Sequence, residues 1–258
     1  MVRAAPLFLL ALAGCASAPA LLPQHAEELA ASEQQHGGLD RTPTPELRRY
    51  CMSAYWAKQR DKLASCLDEV AARRRWLGVA GVEDCRENSH ACDLYARELH
   101  LGALSALDAG RYEEAIARAS ELNRMRRERA GNRYEAVDAL GILAVAVGDE
   151  HSLEELKRFG FGPFSGLHFE RIWLARAYMA RRDYPNAYDE LRKIDFGLDS
   201  VSDRVAATYA QTGEADGYWF ILGKSALETG HMERARSAFA AIHDWTALDA
   251  SKTGIQRR

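Results

Sequence analysis

The sequence lacks a long hydrophobic run and an excess of charge of one sign. Past the N-terminal region, the longest apolar stretch is residues 139–148, about half of the ~20 residues that a membrane-spanning helix needs. The 258 residues carry 34 Lys plus Arg against 37 Asp plus Glu, a formal net charge of -3. We therefore expect no nucleic-acid partner, because duplex-binding domains carry a basic excess. A hydrophobic content of 47% also excludes a disordered chain.

Complete catalytic motifs are also missing. Gly223, Lys224 and Ser225 match the end of a phosphate-binding loop, but Tyr218 stands where that loop requires its first glycine. Residues 160–166 lack the spacing of a dinucleotide fingerprint and of a nucleophile elbow. No two histidines have the spacing of a zinc protease. We therefore predict a protein that is not an enzyme and that has no catalytic residue, cofactor or metal.

The N-terminal residues predict export. Arg3 precedes an apolar segment, residues 7–13, that is too short to span a bilayer. The N-terminal segment ends in Leu12-Ala13-Gly14-Cys15, which resembles the lipobox of bacterial lipoproteins. The resemblance implies a signal peptide over residues 1–14, cleavage before Cys15, and fatty acylation, palmitate included, at Cys15. The alternative is an ordinary signal peptide that is cleaved further along.

The expected location follows from the same resemblance. Residue 16 is Ala, whereas an Asp there favours the inner membrane in this family, so we expect an outer-membrane lipid anchor with the domain in the periplasm. Residues 15–45 are rich in Ala, Pro, Gly and polar residues, with a weak helical patch over residues 23–35, and predict the lipidated residue followed by a flexible tether.

Exported proteins keep disulfides, and four cysteines remain after Cys15: Cys51, Cys66, Cys85 and Cys92. Helical periodicity places Cys51 and Cys66 symmetrically about a turn near residues 58–59, so that they face each other across a helical hairpin. We therefore prefer the pairs Cys51 with Cys66 and Cys85 with Cys92. A zinc site that combines Cys85 and Cys92 with a histidine is the alternative, but the spacing does not match the usual ligand spacing.

Beyond residue 44 the sequence predicts helices only. One segment resembles a tetratricopeptide repeat (TPR), with small residues where helices cross and larger ones that pack: Trp219, Leu222, Gly223, Ala226, Gly230, Ala235 and Phe239. Weaker copies place further turns at residues 110, 148 and 182, against a family period of about 34 residues. The resemblance implies an all-α fold, a right-handed superhelix of antiparallel helix pairs with about four to five repeats. A generic helical bundle is the alternative.

The predicted domains follow from these segments. They are a cysteine-containing helical hairpin and loop at 46–98, TPR-like repeats at 99–245 and a short tail at 246–258. The tail is shorter than the polar capping helix that repeat arrays normally carry. We therefore expect the last helical face to meet another protein or a second copy of the chain.

Repeat arrays bind peptides or helices on the surface formed by the first helix of each pair. We predict Arg171, Arg176 and Tyr178 as partner contacts in this groove, although solvated or internally paired side chains would fit the pattern equally well. A second candidate surface is an arginine cluster with Arg124, Arg126 and Arg127, which suits an acidic partner or an anionic lipid head group. A solvated helix end is the alternative there. The acidic segment 195–217 is predicted to be an insert between repeats.

Two function classes are the main alternatives from the sequence, beside a third possibility, the sensor half of a larger system whose effector is encoded separately. The first is an envelope lipoprotein that acts as a scaffold or adaptor for another envelope protein. The second is a peptidoglycan-acting helical enzyme similar to lytic transglycosylases, for which no essential glutamate can be nominated. Zymography on peptidoglycan distinguishes the two.

Overall fold

The computed structural model describes residues 22–85, 90–128, 133–160, 168–194, 214–248 and 250–254. These residues form helices and turns and contain no β-strand, which confirms the all-α class. The helices are α1 Leu22–His36, α2 Thr44–Trp56, α3 Arg60–Trp76, α4 His90–Asp108, α5 Tyr112–Glu128, α6 Arg133–Val147, α7 Glu150–Gly160, α8 His168–Ala180, α9 Tyr184–Leu191, α10 Glu214–Glu228, α11 Met232–Ala240 and α12 Ala250–Thr253. Within these ranges, no helix is both long and apolar enough to cross a bilayer.

The helices from α2 to α11 pack as consecutive pairs. The pairs are α2 with α3, α4 with α5, α6 with α7, α8 with α9, and α10 with α11. We call the earlier member of each pair its first helix and the later member its second helix. Successive first helices contact each other in chain order, and each second helix contacts the first helix of the next pair. Each pair therefore buries its apolar sides mainly against its sequence neighbours.

The turns within four of these pairs lie where the sequence predicts them. Gly110, Gly148 and Gly230 have φ angles of 71°, 68° and 84°, a left-handed backbone that glycine adopts without a steric penalty. The fourth turn uses Arg182, with φ of 60°. A residue with a side chain carries a conformational cost in this backbone region. The turn between α8 and α9 imposes that conformation on Arg182.

Two glycines allow close helix approach. A Cβ at Gly141 of α6 would overlap the indole of Trp173 in α8. A Cβ at Gly223 of α10 would lie 2.6 Å from the Phe239 ring in α11. Gly141 therefore sets the spacing between neighbouring pairs, and Gly223 sets the spacing within the last pair.

Residues 22–36 form a helix, α1, that packs on α2, whereas the sequence predicted a flexible tether over 15–45. Leu29 is fully buried in the main core. The Ser53 hydroxyl donates to Glu28 Oε2 at 2.7 Å, and the Tyr50 hydroxyl donates to Glu33 Oε1 at 2.6 Å. The sequence indicated only a weak helical patch over residues 23–35, because the polar side chains of this helix find their partners on α2, which local composition does not reveal.

Two glutamates of α1, Glu28 and Glu33, are held in their ionised form. The hydrogen bond from Ser53 lowers the pKa of Glu28. Hydrogen bonds from Lys62 and Tyr50 lower the pKa of Glu33. Burial raises the pKa of Tyr50, and the bond to Glu33 adds to that effect, so the phenol remains protonated and continues to donate.

The four cysteines form two disulfides. Cys51 of α2 is bonded to Cys66 of α3, and Cys85 is bonded to Cys92 at the start of α4. The Cα atoms lie 5.6 Å apart in both bonds, within the range that disulfides require. These are the pairs that the hairpin argument prefers, and the second bond occupies the two thiols of the alternative zinc site.

The chain after α11 folds back along α10. Backbone amides of His243 and Asp244 donate to the two carboxylate oxygens of Asp216, at 2.9 and 3.1 Å. Trp245 then packs against Phe239 and Phe220, with ring centroids 5.8 and 6.3 Å away. The residues that follow α11 therefore cover part of the last pair, a role that the sequence had assigned to a partner.

Candidate functional site

Polar side chains join three successive first helices. The Arg97 Nη2 of α4 lies 3.2 Å from Glu135 Oε1 of α6. One turn further, His100 Nε2 lies 2.5 Å from Asp138 Oδ2, and the Trp173 indole of α8 donates to Asp138 Oδ1 at 2.8 Å. We call the side of the first helices that carries Arg97, His100, Asp138, Trp173 and Arg176 the inner surface.

This polar row is largely removed from water. His100 and Asp138 are 4% and 6% exposed, and burial lowers the pKa of Arg97 while the nearby Glu135 carboxylate opposes that shift. Within the described residues, Arg97 Nε and His100 Nδ1 are buried without a hydrogen-bond partner. A buried polar atom without a hydrogen-bond partner lowers the stability of the fold. These two atoms therefore leave unused hydrogen-bonding capacity on the inner surface.

Arg176 lies on the inner surface and is 1% exposed. Its guanidinium carbon lies 4.7 Å from the centroid of the Trp173 ring, a cation–π contact. Its Nε donates to the backbone carbonyl of Lys252 at 3.0 Å. The residue predicted to contact a partner thus contacts a segment of its own chain.

That segment, residues 250–254, contains α12 and contacts α4, α8 and α10. Lys252 is 1% exposed and Thr253 is 6% exposed. A Cβ at Gly217 of α10 would lie 2.8 Å from Lys252 Cβ, and one at Gly254 would overlap the Arg176 carbonyl oxygen. Glycine at both positions therefore allows the segment to approach the inner surface closely.

The other two predicted groove residues lie on a different side of α8. Arg171 Nη1 donates to Glu190 Oε2 of α9 at 2.7 Å. Tyr178 is 8% exposed, and Lys157 Nζ of α7 lies 5.6 Å from its ring centroid. The structure therefore brings Arg171 and Tyr178 towards second helices and does not bring them together with Arg176.

The arginine cluster is described in part. Arg124 Nη2 lies 3.0 Å from Glu83 Oε1, and its side chain is 51% exposed. The side chains of Arg126 and Arg127 lie outside the described residues, as do Cys15 and the segment 195–213. The ion pair of Arg124 ties α5 to the short turn Val82–Asp84, which gives this arginine a structural contact.

The residues of the TPR-like segment occupy packing positions. Leu222 and Ala226 are fully buried, Ala235 is 2% exposed, and Trp219 packs beside the core with its ring 4.8 Å from that of Tyr218. Gly230 forms the turn, and Phe239 faces Gly223.

Sequence reasoning missed the inner-surface pair His100 and Asp138, although a signal existed. Each lies ten residues before the glycine of its turn, Gly110 or Gly148. Arg97 and Glu135 each lie thirteen residues before the same glycines. Equivalent positions of neighbouring repeats meet on one surface, so alignment on the turns would have placed these charges together.

No group of three or more His, Cys, Asp or Glu side chains in the described parts of the chain could hold a metal ion. Comparison of the chain with protein-family models, with curated proteins and with solved structures found no match.

Proposed function

We propose that this chain is a lipid-anchored envelope protein that binds another envelope protein as a scaffold or adaptor. The observation that carries the proposal is the contact of successive first helices in chain order, joined by Arg97 with Glu135 and by His100, Asp138 and Trp173. A surface of this kind offers one continuous face to an extended peptide or a helix. The proposal includes the arrangement of the pairs as a right-handed TPR-like superhelix.

The chemistry of the inner surface supports a protein ligand. Its side chains are long, polar-tipped or aromatic, and Arg and Trp are enriched among residues that dominate protein interfaces. Arg176 donates to a backbone carbonyl, an acceptor that every peptide offers. A peptide can therefore bind here through its main chain, with side chains adding selectivity.

Photocrosslinking tests the inner surface. Met52 of α2 is half-buried, and its Sδ lies 3.9 Å from Arg97 Nη1, so a diazirine amino acid fits at this position with little disturbance. The matched control is the same amino acid at Arg236, which is exposed on the second helix α11. We expect one dominant envelope protein to be captured from position 52 in cells and not from position 236. Equal capture from both positions, or none from a folded protein, would contradict the proposal.

The anchor has a separate test. Cells grown with an alkyne-tagged fatty acid should label the wild-type protein, and Cys15→Ser should lose both the label and the membrane association. The other four cysteines form disulfides, so they offer no competing thiol. A wild-type protein without label would refute the lipobox interpretation and favour an ordinary signal peptide.

A further inference from the structure

We infer that residues 250–254 act as an intramolecular ligand of the inner surface, which a partner must displace in order to bind. The inference rests on the proposed function, because it assigns an occupant to the same surface. It identifies the kind of partner segment that fits: a short helical turn with a lysine followed, two residues later, by a glycine that ends the turn.

The segment lies against several helix pairs, not only the last one. It contacts α4, α8 and α10, which are first helices of three different pairs. Its link to Arg176 spans 76 residues of sequence. A segment needed only to cover the end of the array would contact the last pair alone.

The end of the array is held in place by residues that precede the segment. Asp216 binds the amides of His243 and Asp244, and Trp245 packs on Phe239 and Phe220. Asp244 then caps the short turn that follows, accepting from the Thr246 amide at 2.8 Å. These contacts precede residue 250, so the segment beyond them is free to have a role other than capping.

The segment meets the inner surface through main-chain and glycine contacts. Arg176 Nε binds the Lys252 carbonyl, as it would bind a peptide main chain in trans. Lys252 is almost fully buried against Gly217. Gly254 has φ of 67° and leaves no room for a Cβ beside the Arg176 carbonyl. The site is therefore selective for glycine at this position.

Gly254→Val in the full-length chain tests the inference, because it introduces a clash with Arg176 and disfavours the backbone angle. Gly78→Val is the matched control: it has φ of 86° and no neighbouring atom within 4 Å of a Cβ, so it carries the backbone penalty without a clash. The first readout is trypsin cleavage after Lys252, followed by mass spectrometry. We expect cleavage to be at least tenfold faster in Gly254→Val than in the wild type or in Gly78→Val.

The second readout is binding of a labelled peptide that contains residues 246–258. We expect the peptide to bind Gly254→Val at least tenfold more tightly than the wild type, because the surface is vacated. The same peptide with valine in place of Gly254 should bind at least tenfold more weakly than the unaltered peptide. Tighter binding together with this selectivity would support an intramolecular ligand.

Three results would overturn the inference. Unchanged protection of Lys252 would show that the segment is not released, and unfolding of Gly254→Val, seen by circular dichroism, would show that it is part of the fold. Release of the segment without binding of the peptide would show that the inner surface does not hold peptides of this pattern. Crosslinking from position 52 would still test the proposed function separately, since that position lies on α2 and not in the segment.

Discussion

The α2–α3 pair and the α10–α11 pair share one arrangement but hold their helices together differently. In the first, a disulfide joins Cys51 to Cys66, both fully buried. In the second, Gly223 lets the Phe239 ring approach the backbone of α10. The pair nearest the predicted membrane anchor is therefore closed by a covalent bond, and the pair at the other end is closed by the packing of a ring against a glycine. Either a covalent bond or close packing can thus hold the two helices of an antiparallel pair together.

Removal of the disulfide should have the largest effect. Cys51→Ser with Cys66→Ser opens a link across a sequence separation of 15, which should lower the free energy of unfolding by about 3 kcal/mol. Cys85→Ser with Cys92→Ser is the control, because its separation is 7 and the loss in chain entropy is smaller. Urea unfolding measures both. A larger loss in the control would show that the length of the closed loop does not set the size of the effect.

Loss of the close approach between α10 and α11 should lower the free energy of unfolding by less than loss of the disulfide. Gly223→Val would place methyl groups in the Phe239 ring and lower the free energy of unfolding by about 2 kcal/mol. Ala240→Val, at an exposed position of α11, controls for the helix propensity of valine. Phe239→Ala in the Gly223→Val background should recover part of the loss. Additive effects in thermal unfolding would show that the ring does not set the helix spacing.

The α1–α2 contact makes the disulfide-bonded end sensitive to acid. The pKa values of Glu28 and Glu33 lie below the usual 4.5, so their contribution to stability is fully present above pH 4.5 and is lost as the pH falls through the lowered values. We expect stability between pH 6 and pH 3 to fall less in Glu28→Gln with Glu33→Gln than in the wild type. Both side chains are about half exposed to solvent, so the effect is small. Urea unfolding across this range checks it, and parallel pH profiles would rule out these two groups.

Substitutions at the turn residues should change the free energy of unfolding least. Arg182→Gly removes the penalty of a left-handed side-chain residue, about 1–2 kcal/mol, and adds chain entropy to the unfolded state, about 0.4–1 kcal/mol. We expect a net gain of about 0.5 kcal/mol from these two terms. The reciprocal change, Gly148→Ala, should destabilise the protein. No atom lies within 4 Å of the added Cβ, so a steric clash does not contribute to the loss. Equal melting temperatures for wild type and both variants would show that the turns are not strained.

Local features were predictable from the sequence alone. Helical periodicity fixed the all-α class, the turns at residues 110, 148, 182 and 230 lie between helices as predicted, and symmetry about the turn at residues 58–59 paired Cys51 with Cys66. Each of these inferences uses residues within one helix or one hairpin. Periodicity and turn chemistry act over that range, so they can be read without the fold.

Only the tertiary structure decided which part of the molecule each helix face contacts. It placed α1 on α2, turned Tyr178 towards α7, joined His100 to Asp138 and buried Arg176 against Lys252. These contacts link residues 38 or 76 positions apart in the last two cases. The sequence shows that such side chains are polar or apolar, but the partner that satisfies each one is set by the packing of helices that lie far apart along the chain.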